Sequence, residues 1–125
     1  LVPGNFQAQL GLALLNEKDK HHTEAYDELN SLIEQYPDSA TAYAARGGVE
    51  KEHCQWELAE YDFAKAVLLD SSNLDYRINH VDVLISLNRK SEAYAELKNL
   101  QMLGVKVGQL HGFYIRLKKR NKDKR

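Results

Sequence analysis

Apolar residues recur along this chain with a helical period, and the pattern itself repeats. Between Glu24 and Pro37 they fall at Ala25, Leu29, Leu32, Ile33 and Tyr36, the spacing of a helix with one buried face. The stripe returns 34 residues later as Ala59, Phe63, Ala66 and Val67, and after a further 34 as Ala93, Leu97 and Leu100, where Gln101 interrupts it. The preceding halves repeat as well: Leu10, Ala13 and Leu14 align with Ala44, Gly47 and Gly48, then with Ile78, Val81 and Asp82. Each unit is therefore predicted to be two helices of about a dozen residues joined by a tight turn. The turns fall near Asp19-Lys20, His53-Cys54 and Asn88-Arg89, with Asn88 best suited to a left-handed helix end. Pro37-Asp38-Ser39 and Asp70-Ser71-Ser72-Asn73 separate the units, with proline stopping one helix and Asp or Ser capping the next.

After Gly104 the stripe Leu110, Phe113, Tyr114 and Leu117 predicts one further helix in the phase of a fourth first helix. A stack of repeats exposes its ends, and a helix with one polar face closes such an end. The predicted organisation is all-α, a single domain over residues 1–117. Its repeats span about 6–39, 40–73 and 74–107, its capping helix about 108–117, and residues 118–125 form a basic tail.

The central unit reads Tyr43-x-x-Arg46-Gly47-x-x-Glu50 followed by Ala59-x-x-x-Phe63, which resembles the tetratricopeptide repeat. Gly47 and Ala59 would let the two helices of a hairpin approach closely, and Ala66 would admit the next unit. The first unit has Gln9 where an aromatic is usual but keeps Leu12-Ala13, Ala25, Leu29 and Pro37. The third has Arg77, His80-Val81 and Leu97, and lacks the proline. The resemblance covers residues 6 to 104 and implies a right-handed α-solenoid of three antiparallel helical hairpins.

Composition agrees with a folded domain: 43% apolar and 28% charged residues, with two prolines and seven glycines. The single Cys54 excludes an internal disulfide framework. The chain opens at Leu1-Val2-Pro3 without methionine, so a shortened N-terminus is expected, with cytoplasm or, after signal-peptide removal, periplasm as the compartment. Net charge is −1, yet residues 116–125 carry seven basic side chains (Arg116, Lys118, Lys119, Arg120, Lys122, Lys124 and Arg125) against Asp123. A mildly acidic body with a basic end opens a second reading, an adaptor that touches nucleic acid or an anionic membrane through the tail. Aromatic residues are not interleaved in that tail, which argues against base stacking.

Catalysis has little to draw on. No glycine-rich phosphate loop and no nucleophile with a local signature occurs, so no catalytic residue and no cofactor is expected. Gly47-Gly48 lies inside a helical period and is expected at a close helix contact. His21-His22 and His53-Cys54 occupy nearly matching turns of adjacent units and include zinc-type donors. Two residues per turn are not expected to converge, so no metal site is assigned. His80 is expected in the core, and Trp56 in core or edge packing.

The resemblance further implies that the first helices line a concave groove that binds an extended or helical peptide. Its positions are Gln7, Leu10, Leu14, Glu17 and Lys18 in the first unit, and Thr41, Ala44, Gly48, Lys51 and Glu52 in the second. Asp75, Ile78, Asp82, Ile85 and Ser86 come from the third. Where chaperone-binding relatives hold a terminal carboxylate with lysine, asparagine and arginine, this chain has Leu10, Leu14, Gly48, Asp75 and Asn79. The expected ligand is therefore a protein segment of apolar or mildly basic character, not an acidic C-terminus, bound by a non-catalytic scaffold. The tail would be such a segment for a neighbouring copy, giving a monomer or a weak homodimer.

Overall fold

A computed structural model describes residues 3–119 as seven helices with no strand among the described residues. They are α1 (Pro3–Lys18), α2 (His22–Gln35), α3 (Ala40–Glu52), α4 (Trp56–Leu69), α5 (Leu74–Ser86), α6 (Lys90–Met102) and α7 (Val107–Lys118). The hairpins α1–α2, α3–α4 and α5–α6 stack in chain order, and α7 packs on α5 and α6.

Helix ends follow from local chemistry. Ser39 Oγ accepts from the Ala42 amide at 3.2 Å and caps α3, as expected. At α5 the cap is Asn73, whose Oδ1 accepts from the Tyr76 amide at 3.1 Å, rather than an Asp or Ser of the same segment. Lys20, Cys54 and Asn88 all adopt left-handed backbone, with φ of 65°, 57° and 61°, and Gly104 does so at 102°. Each closes the same motif. The next residue's amide bonds five residues back, from His21 to Asn16, Gln55 to Glu50, Arg89 to Leu84 and Val105 to Leu100, at 2.7, 2.8, 2.9 and 3.0 Å.

The stripes are the core. Ala25, Ala59 and Ala93 are fully buried, as are Leu32, Ala66 and Leu100 at the matching positions two turns further on. Between them Leu29, Phe63 and Leu97 fill the hairpin interior, and Leu110 and Leu117 of α7 close the last cluster against Val81, Leu84, Leu97 and Leu100. Gly47 faces this interior: a Cβ there would stand 3.0 Å from Phe63 Cε2 and 3.1 Å from its Cδ2. Gly48 does not share that role, since a Cβ there meets nothing within 4 Å. Trp56 packs at the edge of the cluster of Ala59, Phe63 and Val83.

A polar knot crosses the interior between α2, α3 and α4. Arg46 holds both Asp62 oxygens, Nε to Oδ2 at 2.8 Å and Nη2 to Oδ1 at 2.7 Å, and donates to Asn30 Oδ1 at 3.0 Å. Tyr26 Oη donates to Glu50 Oε2 at 2.6 Å, while Glu50 and Asp62 are each 1% exposed. Burial, reinforced by the neighbouring Asp62 carboxylate, pushes Glu50 up to about 8. His80, expected in the core, is instead half-buried with Nε2 2.9 Å from Glu60 Oε2. Its imidazole tip needs a polar partner, and α4 supplies one.

Candidate functional site

The first helices of the units share one face, and a ladder of charge runs across it. Lys51 of α3 lies 2.6 Å from Asp82 Oδ2 of α5 and donates to Asn79 Oδ1 at 3.0 Å. Asp82 Oδ1 accepts from Arg116 Nη1 of α7 at 2.5 Å, and Arg116 Nη2 reaches Ser86 Oγ at 3.3 Å. Burial alone would raise the Asp82 carboxyl, but hydrogen bonds from Lys51 and Arg116 outweigh it and hold it below the usual carboxylate range. The ladder therefore binds α3, α5 and α7 through one ionised side chain.

Two expectations change here. Asp82 is not an open acid at one end of the face, because two cations already claim its oxygens. Arg116, grouped by sequence with the basic tail, is a rung of this ladder. Lys118 and Lys119 are exposed beyond it, and Arg120, Lys122, Lys124 and Arg125 lie outside the described residues. Of the described residues of the basic end, Arg116 reaches this face, within its own chain.

The apolar positions divide. Leu10 packs against the Leu29–Leu32 cluster, Ala44 against Ala59 and Phe63, and Ile78 and Ile85 against the Leu84–Leu97 cluster. These four are half-buried and serve helix packing as much as a surface. Leu14 is the exposed one, at 48%. Gly48 leaves open space above α3. Lys18, Glu52 and Asp75 are exposed on the same helices, and Thr41 Oγ1 lies 3.4 Å from Tyr76 Oη.

The turns of the first two units do converge, contrary to expectation. His22 Nδ1 and His53 Nε2 are 2.9 Å apart, and their rings meet edge to face with centroids 3.9 Å apart. Glu17 of α1 completes the group, with Oε1 2.7 Å from His22 Nδ1 and Oε2 3.2 Å from His53 Nε2. Cys54, one of the zinc-type donors of these turns, is exposed and stands outside this trio. The left-handed turn at Cys54 follows His53 at the end of α3, and His53 is the residue that meets the preceding unit.

Seven helices paired in this order form the fold of tetratricopeptide-repeat domains. The TPR domain of Arabidopsis OM64 superposes with a TM-score of 0.79 at 23% identity, covering 93% of this chain and 96% of that one. The first TPR of Spaghetti (RPAP3), bound to HSP90 peptide SRMEEVD, gives 0.78 at 16% identity, covering 91% and 94%. The Yersinia enterocolitica type III secretion chaperone SycD, in complex with a peptide of the translocator YopD, gives 0.74 at 14%, covering 90% and 86%. In sequence, Ethylene-overproduction protein 1 of Arabidopsis thaliana is 35% identical over 92 residues, 73% of this chain. The chain spans only 9% of the length of that relative. No protein-family model matches the chain. No described helix is long and apolar enough to cross a membrane.

Proposed function

We propose that this chain is a non-catalytic interaction module whose α1–α3–α5–α7 face docks a protein segment of apolar or mildly basic character. The observation that carries this reading is the Lys51–Asp82–Arg116 ladder. A ligand carboxylate needs cations with open donor capacity, and here both cations are already engaged by a carboxylate of the chain itself. An acidic C-terminus has to compete with Asp82 for both of them. Asp75 and Glu52, exposed on the same face against Lys18, tilt the remaining charge toward a basic partner. Leu14 and the open surface over Gly48 supply the apolar contact. The solved neighbours that carry peptides support the mode of use.

The test is a titration of two labelled peptides, one apolar with lysine or arginine and one ending in an acidic run. The first should bind the unmodified protein more tightly and weaken as salt screens Asp75. The second should bind weakly and gain about tenfold in affinity with Asp82→Asn, which frees Lys51 and Arg116. Tight binding of the acidic peptide to the unmodified protein, unchanged by Asp82→Asn and by Lys51→Ala, overturns the assignment.

A further inference from the structure

Three side chains from three helices end at one point on the edge of the stack. Glu17 leaves the last turn of α1, His22 is the first residue of α2, and His53 follows the last turn of α3. Their ligand-type atoms all lie within 4.8 Å of one another. The two inner nitrogens and the carboxylate oxygens are separated by 2.7, 2.9 and 3.2 Å.

Hydrogen bonding alone serves this cluster poorly. A neutral imidazole carries one ring proton, and two nitrogens 2.9 Å apart cannot both aim theirs inward without collision. One N–H is then left to satisfy a carboxylate and a second ring. A single divalent cation at the centre would meet every one of these lone pairs. Metal–nitrogen and metal–oxygen bonds of about 2.0–2.2 Å place donor atoms about 2.9–3.4 Å apart, close to the spacing here. The two exposed rings, whose centroids are 3.9 Å apart, need swing outward by only about an ångström to aim both nitrogens at the ion. Side-chain exposures of 44% for His22 and 33% for His53 leave the remaining coordination positions accessible to water. A cleft of about 410 Å³, lined also by Tyr26, Asp27, Gln55 and Leu58, opens beside the two histidines.

We infer that Glu17, His22 and His53 form a binding site for a first-row divalent transition metal of the zinc type. Two imidazoles and one carboxylate suit such an ion, whereas calcium and magnesium prefer sites built of oxygen. His22 and Glu17 belong to the first unit and His53 to the second, so the bound ion is a clip across the boundary between them. Occupancy stabilises the native stack because the unfolded chain does not hold the three ligands together.

The experiment uses the full chain without an affinity tag, freed of metal by a chelator and kept reduced. Zinc chloride is titrated by calorimetry, with magnesium chloride as the comparison, and thermal unfolding is followed with and without zinc. One zinc per chain should bind, magnesium should not, and the melting temperature should rise with zinc. His22→Ala, His53→Ala and Glu17→Gln should each weaken binding by at least roughly tenfold. Cys54→Ser should leave it unchanged, and cobalt bound in place of zinc should show no thiolate charge-transfer band. All four sites are at the surface edge, and far-ultraviolet circular dichroism confirms that each variant is helical before titration. Absence of saturable zinc binding overturns the inference, as does binding indifferent to His22→Ala and His53→Ala. Loss of binding with Cys54→Ser alone overturns it as well, since that marks a thiolate site.

Discussion

Glu50 couples the fold to pH through a buried carboxyl. It sits in the buried row of α3, where its neighbours Val49 and Gly47 face the interior, and one of its oxygens, Oε1, is buried without a hydrogen-bond partner. An ionised carboxylate there, beside Asp62, is costly; a protonated one is not. The folded-state value is raised from 4.5 to about 8. Glu50 therefore contributes stability that is full below the lower value and is lost as pH rises through the higher one. Glu50→Gln keeps an acceptor for Tyr26 and adds an amide that is never charged. Urea unfolding should find the variant close to the unmodified protein at pH 5. Near pH 8.5 it should be more stable by roughly 1–3 kcal/mol, the cost of a buried polar group left unsatisfied. Equal pH profiles for the two proteins would mean that Glu50 is not the titrating group. Sequence alone does not single out this site, because an acid inside a helix reads as solvated until the rotation of α3 against α2 and α4 is known.

At the scale of the element, the hairpin is defined by one close contact and one turn. Gly47 permits α3 and α4 to approach, because Phe63 occupies the place where a side chain would begin. Gly47→Leu should overpack that contact and cost about 1–3 kcal/mol. Gly48 lies one residue on with open space above it, so Gly48→Ala should stabilise α3 by roughly 0.5–1 kcal/mol through helix propensity. Thermal melts of the two variants should move in opposite directions. A shared direction would mean that α3 turns a different face toward α4. The turns were legible in position but not in mechanism. Lys20, Cys54 and Asn88 stand 34 residues apart and all take the left-handed conformation, although only asparagine favours it. The doubled hydrogen bonds of the motif hold lysine and cysteine there. The same rigid turn carries His53 toward His22, and so sets up the edge where the inferred ion binds.

Across the whole molecule, what the sequence disclosed was what repeats. Buried stripes recur because helical period and repeat length are properties of the backbone, and Ala25, Ala59 and Ala93 needed no knowledge of their neighbours. The ladder was harder to see, because it depends on which side chain reaches which across successive first helices. One signal was available: Asp82 and Arg116 are 34 residues apart, opposite charges at the same position of adjacent first helices. Arg116 also opens the run of basic residues at the C-terminal end, and that run masks the pairing. The repeat also limits how damage spreads. Each unit contacts mainly its neighbours, so stability is close to a sum of local units and interfaces. Leu110 of α7 is fully buried in the cluster of Val81, Leu84, Leu97 and Leu100, and no residue of α1 to α4 belongs to that cluster. Leu110→Ala should cost about 2–5 kcal/mol, the range for a cavity in a packed core. The loss should be uneven. Amide hydrogen exchange should accelerate in α5, α6 and α7, while α1, α2 and the start of α3 retain most of their protection. Uniform acceleration from α1 to α7 would instead describe a single cooperative unit, in which the C-terminal helix supports the first hairpin as strongly as its own neighbour.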